Sequence, residues 1–121
     1  MSERGQADGA EDAVRVVLVS APDETTAVRI TRMLVQERLA ACGNVVGGLT
    51  SIYWWQGAVE TAAEALIVLK TSNATVDALV RRVPELHPYE VPEVLVVPVL
   101  DGHAPYLEWV RASCKVQRIE D

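Results

Sequence analysis

The sequence predicts an α+β domain, an antiparallel sheet with two helices on one face and a third, short helix at the end. Three observations carry this. Four runs rich in β-branched and apolar residues alternate with two helix-period stripes in the order β-α-β-β-α-β. The turn signal Gln56-Gly57 lies between the second run and the third, so the two form one long hairpin. The 121 residues are one domain's worth, and half of them are hydrophobic, enough for a core without staples. This order of elements is the ferredoxin-like split βαβ pattern.

Residues 1–13 are acidic, rich in Gly and Ala, and without periodicity; they read as a flexible acidic tail ahead of a single domain over 14–121. Val14 to Ser20 is the first strand, closed by Ala21-Pro22. Asp23 then caps a helix by accepting from the N–H groups of its first turn. Ala27, Ile30, Leu34 and Ala41 form the apolar stripe, and Gly43-Asn44 are expected to stop it. Val45 to Trp55 is the second strand, with a bulge expected at Gly47-Gly48. Val59 to Thr71 is the third, with Glu64, Leu66, Val68 and Lys70 on one face and Ala65, Ile67 and Leu69 on the other. Ser72 or Asn73 caps the second helix, whose stripe is Val76, Leu79, Val80 and Val83, and Pro84 and Pro88 finish it. Val91 to Leu100 is the fourth strand. Pro105 opens the last helix, with Leu107, Val110 and Cys114 inward, and Val116 to Ile119 could form a short strand.

Composition excludes several functions. A net charge of −6 with scattered Lys and Arg offers no footprint for nucleic acid or an anionic membrane. No apolar stretch approaches a membrane span, and residues 1–13 have no signal-peptide core. Cys42 and Cys114 stand outside any zinc-type spacing, so a cytoplasmic location with reduced thiols is expected.

One part of the pattern does not suit a monomer. A sheet covered on one face should alternate apolar and polar, yet Val94, Leu95, Val96 and Val97 are apolar on both faces. Pro92 and Pro98 cannot donate to a ladder, which puts this strand at an edge. Tyr53, Trp54 and Trp55 likewise place large rings on both faces of the hairpin near its tip. Pairing between subunits, as in a trimer or another closed ring, resolves both; cover by the last helix is the alternative, but a helix that short cannot span a sheet.

These residues resemble the CutA family of divalent-cation tolerance proteins. The matching pieces run in family order over about 14–114: Ala21-Pro22-Asp23-Glu24, Leu39-Ala40-Ala41-Cys42, Thr50-Ser51-Ile52-Tyr53-Trp54-Trp55-Gln56-Gly57, Leu69-Lys70-Thr71, His87-Pro88-Tyr89-Glu90-Val91-Pro92-Glu93 and Tyr106-Leu107-Glu108-Trp109. The resemblance implies a homotrimer of ferredoxin-like subunits with the hairpin reaching onto a neighbour, kinship to PII-type signalling trimers, and a role in tolerance of copper and other divalent metals. Some members carry a cysteine at the end of the first strand and thiol or imidazole groups before the His-Pro-Tyr. Here Ser20 ends that strand and Arg81, Arg82 and Leu86 precede His87, so the soft donors that copper favours are absent at those places.

The segment from His87 to Glu93 holds the densest chemistry. His87 could ligate a metal or bond backbone carbonyls from a helix end. Glu90 and Glu93 could offer oxygens to a hard cation or pair with Lys or Arg. Cys42 is a candidate soft ligand or a small buried hydrophobe. Lys70, which ends a strand, could bind an anion, though an ion pair with Glu90 is the favoured expectation. Tyr89 is expected to pack its ring and bond through its hydroxyl. His103 reads as a surface residue in a turn. Metal contacts would therefore fall to His87, Glu90 and Cys42. An inter-subunit cleft would hold Lys70, Tyr89, Glu93 and Trp55, and the interface Tyr53, Trp54, Val94, Val96 and Trp109.

No nucleophile, base and acid set and no phosphate loop is visible, so no catalytic residue is assigned. The leading reading is a non-catalytic trimer that binds divalent metal ions, copper among them, and needs no cofactor. Its rivals are a PII-like module holding a small anion in the inter-subunit cleft, and a small cleft enzyme.

Overall fold

A computed structural model describes residues 12–115. Nearly all of the expected acidic tail, and the short strand expected at Val116 to Ile119, lie outside the described residues. The elements run β1 (Val14–Ala21), α1 (Glu24–Gln36), β2 (Cys42–Trp55), β3 (Ala58–Ser72), α2 (Asn73–Leu86), β4 (Val94–Pro98) and α3 (Ala104–Ser113). The strands form one sheet in the order β2-β3-β1-β4, and every neighbouring pair is antiparallel. The expected βαββαβ arrangement is therefore present, and β4 lies at an edge.

Strand parity decides what is buried. Val17 and Val19 of β1 and Ala65, Ile67 and Leu69 of β3 face the helices and meet Ala27, Ile30 and Leu34 of α1 and Val76, Leu79 and Val83 of α2. The opposite face carries Val16, Leu18, Leu66, Val68, Leu95 and Val97, aligned by the strand register. Among the described residues no helix covers its middle. The short α3 seals only one end, where Leu107, Val110 and Cys114 bury Val14 and Ala41.

Local chemistry sets the boundaries. Asp23 caps α1 as expected: its Oδ1 accepts from the Thr26 N–H at 2.7 Å, which holds the carboxyl below its usual range. The helix ends earlier than the sequence suggests. It stops at Gln36, where Arg38 takes a positive φ of 62° and the N–H groups of Leu39 and Ala40 close onto the Leu34 carbonyl. Ala41 is thus outside the helix, and Gly43-Asn44 belong to β2. The bulge falls where expected: pairing shifts between Val46 and Leu49, with Gly48 at φ 73°. Gln56 and Gly57, at φ 49° and 83°, make the two-residue turn of the hairpin. Ser72 is the N-cap residue of α2, but its hydroxyl bonds Thr75 Oγ1, not a backbone N–H. Pro84 lies inside α2, whose last turn continues to Leu86. The fourth strand is shorter than expected, five residues from Val94 to Pro98, and pairs only with Arg15 to Val19 of β1.

The hairpin outgrows the sheet. β3 pairs with β1 only from Ala65 to Ser72. Residues 49–55 and 58–64 therefore form a two-stranded ribbon extending ~20 Å past the body. Its tip is apolar and wet, with Trp54 75% and Trp55 60% exposed.

Candidate functional site

The connection between α2 and β4 folds against the end of β1. His87 ends α2 with an extended backbone, as the following proline requires. The residue is only 7% exposed, and both ring nitrogens are engaged. Nδ1 accepts from the Tyr89 N–H at 3.0 Å, so the ring proton sits on Nε2, which donates to the Ser20 carbonyl at 2.7 Å. Ser20 lies just past the last β1–β4 pair, Val19 with Val94. The imidazole thus continues the edge of the sheet where strand pairing stops.

Tyr89 extends the same lock. Its ring packs on His87 with centroids 4.8 Å apart, and its hydroxyl donates to Glu64 Oε2 at 2.8 Å. Glu64 is the first residue of β3 beyond the β1 pairing. Loss of solvent around the phenol, and then the neighbouring carboxylate, push the Tyr89 hydroxyl up to about 12. Glu90, Val91 and Glu93 are exposed on the outside of this turn.

A second polar group lies at the other end of the sheet. Lys70 Nζ donates to Asn44 Oδ1. Within one chain Lys70 does not meet Glu90: register places Lys70 opposite Val16 and Cys42, and Glu90 belongs with the turn at the far end of β1. Half-buried Cys42 has its Sγ 3.5 Å from the Tyr106 hydroxyl. That contact, followed by loss of solvent, raises the Tyr106 hydroxyl to about 12. The Tyr106 ring stacks on Trp109 at 5.6 Å. Cys114 is a buried packing residue, its thiol pushed up by desolvation, and His103 is an exposed residue at the start of α3.

One chain does not bring the expected metal donors together. Cys42 lies across from Lys70, whereas His87 meets Ser20, four residues along β1 from Val16, or ~13 Å. Among the described residues no group of three His, Cys, Asp or Glu could hold a metal ion. The anion-site pair is separated too: Lys70 and the Glu64 that holds Tyr89 are ~20 Å apart on β3. Of the expected interface residues, Tyr53 and Trp55 share the open face of the sheet and Trp54 points the other way. Val94 packs inward against the core, Val96 shares that face at the edge, and Trp109 is half-exposed on α3. Sequence reasoning missed the roles of Ser20, Asn44, Glu64 and Tyr106. Strand parity already put Glu64 and Lys70 on one face, but nothing in the sequence gives the carbonyl of Ser20 a partner.

Comparisons with known proteins come from three directions. The family model described as CutA1 divalent ion tolerance protein matches residues 15–113. The divalent-cation tolerance protein CutA of Thermus thermophilus is 49% identical over 98 residues, 81% of this chain and 95% of the relative. A chloroplastic CutA protein of rice is 42% identical over 83% of this chain, which spans 56% of that relative's length. The solved rice CutA1 structure superposes with a TM-score of 0.84 at 40% identity, covering 87% of this chain and 96% of that one. A structure described as a periplasmic divalent cation tolerance protein, from Archaeoglobus fulgidus, gives a TM-score of 0.80 at 28% identity, covering 83% and 97%. No helix among the described residues is long and apolar enough to cross a membrane.

Proposed function

The chain belongs to the CutA1 divalent ion tolerance family, and from that premise we propose that it serves divalent-cation tolerance as a cytoplasmic homotrimer with no catalytic step of its own. The family is named for tolerance and not for a reaction. The observation that carries the assembly is the overhanging ribbon. Two strands alone are marginal in water, and this pair exposes Ile52, Trp54, Trp55 and Val59. A second copy offers it what the body of the same chain lacks, an apolar surface and an unpaired strand edge. The open face bearing Leu95 and Val97 points the same way.

Metal ions, copper included, then bind weakly between subunits. On this reading Glu90 remains from the expected metal set and Glu93, expected in the cleft, joins it. His87 is committed at both nitrogens to holding the turn, so the available oxygens are those of Glu90 and Glu93 on its outer side. These are hard donors, suited to divalent ions held loosely and not to tight copper capture. Calorimetry with Cu²⁺ and Mn²⁺ on the wild type, Glu90→Gln and His87→Asn checks this. The glutamate change should weaken binding, while the histidine change should lower stability and leave affinity alone. Equal affinity in wild type and Glu90→Gln removes the carboxylate from the site. Light scattering on the same samples should give three chains per particle, and a stable dilute monomer would defeat the trimer.

A further inference from the structure

The ribbon of residues 49–55 and 58–64 leaves the body at a weak joint. β3 runs through the joint unbroken, but its pairing with β1 ends at Ala65, opposite Ala21. β2 crosses it in the bulge, where pairing shifts between Val46 and Leu49. A bulge bends its strand and interrupts the ladder. Gly48 takes a φ of 73° there, and a Cβ on it would meet nothing within 4 Å. A Cβ on Gly47 would collide with the Glu24 side chain. Two glycines thus leave the joint without side chains to stiffen it.

One bond spans this joint from outside. The Tyr89 hydroxyl donates to Glu64 Oε2 at 2.8 Å. Among the described residues it is the one side-chain hydrogen bond between the ribbon and the rest of the chain, and no ion pair adds to it. The donor is itself held still. The Tyr89 N–H bonds His87, its ring packs on the imidazole, and Pro88 and Pro92 stiffen the turn. His87 is fixed in turn to the Ser20 carbonyl of β1. With its hydroxyl pushed up to about 12, Tyr89 stays a donor at any physiological pH. Small movements here are magnified. The ribbon extends ~20 Å, so a tilt of ~10° at the joint moves its tip by ~3–4 Å. Interfaces pack as densely as protein interiors, and a shift of that size unseats a ring from its pocket.

We propose that the Gly47-Gly48 bulge is a hinge and that the Tyr89–Glu64 bond is the latch that sets the angle of the ribbon to the body. The latch then positions Tyr53, Trp54 and Trp55 for a second copy before the two meet, a consequence that rests on the trimeric reading. A ribbon fixed in advance loses less freedom on association.

Tyr89→Phe keeps the ring on His87 and removes only the hydroxyl. Hydrogen exchange of the full chain, read by mass spectrometry on ribbon and body peptides, compares it with the wild type. Residues 49–64 should exchange several-fold faster in Tyr89→Phe, with 65–72, α1 and α2 unchanged. Glu64→Gln keeps an acceptor oxygen and should stay near the wild type. Glu64→Ala should match Tyr89→Phe, and combining the two should add nothing further. Equal ribbon exchange in wild type and Tyr89→Phe overturns the latch. Faster exchange through the whole chain overturns it too, since the bond would then serve general stability. Light scattering over a dilution series tests the consequence for assembly: Tyr89→Phe should dissociate at several-fold higher concentration than the wild type. Equal dissociation beside a loosened ribbon overturns the positioning role and leaves the latch. A wild type that is monomeric throughout defeats the trimeric reading and the positioning role with it, while the exchange data still decide the latch.

Discussion

At the scale of single residues, His87 shows how one side chain can look like a ligand and act as a clamp. Its type and its prolines are visible in sequence, and so is the alternative of a helix-end residue bonding carbonyls. What the sequence cannot show is that the Ser20 carbonyl, 67 residues from His87, reaches the ring together with the nearby Tyr89 N–H. Truncation to alanine leaves a donor and an acceptor buried without partners, so His87→Ala should cost ~2–3 kcal/mol. Urea unfolding should show a lower midpoint at an unchanged slope. A loss under half a kcal/mol would mean that water replaces the ring at little cost. Lys70 teaches the converse lesson. The sequence offered Glu90 as its opposite charge, but only strand register could reveal that Asn44 stands close by and Glu90 at the other end.

At the scale of elements, the legible features were those written in local periodicity and turn chemistry: strand parity in β3, the Asp23 cap, the glycine bulge and the Gln56-Gly57 turn. The misplaced boundaries had no such signal. α1 closes on Arg38, a residue type that seldom takes positive φ, so Ala41 fell on the helical stripe by spacing alone. The apolar run around β4 is longer than the five residues of it that pair with β1. One close approach between elements is strict enough to test. A Cβ on Gly43 would stand 2.5 Å from Thr31 Cγ2 and 2.9 Å from Leu69 Cδ2. Thr31 cannot turn away freely, because its buried hydroxyl donates to the Ala27 carbonyl at 2.7 Å. Gly43→Ala should therefore destabilise by ~1–3 kcal/mol through overpacking. Adding Thr31→Ser, which deletes the offending methyl, should recover part of the loss in a double-mutant cycle read by thermal melting. Strict additivity of the two changes would place the strain elsewhere.

At the scale of the whole molecule, the two faces of β4 separate folding from assembly. Val94 pairs with Val19 and packs on the helix-covered core, whereas Leu95 and Val97 sit on the open face, 54% and 39% exposed in a single chain. A charge at Val94 must be buried with the core, at a cost large enough to unfold a chain of ordinary stability. A charge at Leu95 costs an isolated chain little, since water still reaches it. It costs a trimer that buries this face a great deal, and three times over by symmetry. Leu95→Glu should therefore give a smaller particle by light scattering while the circular dichroism of the α+β fold persists at low temperature. Val94→Glu should lose the fold itself. If a chain cannot fold without its neighbours, Leu95→Glu will lose mass and dichroism together on dilution, and raising the protein concentration or adding sulfate should restore both. A Leu95→Glu protein that keeps three chains per particle with an unchanged melt would show that the open face stays in water, and the trimer would then have to be held by the ribbon alone.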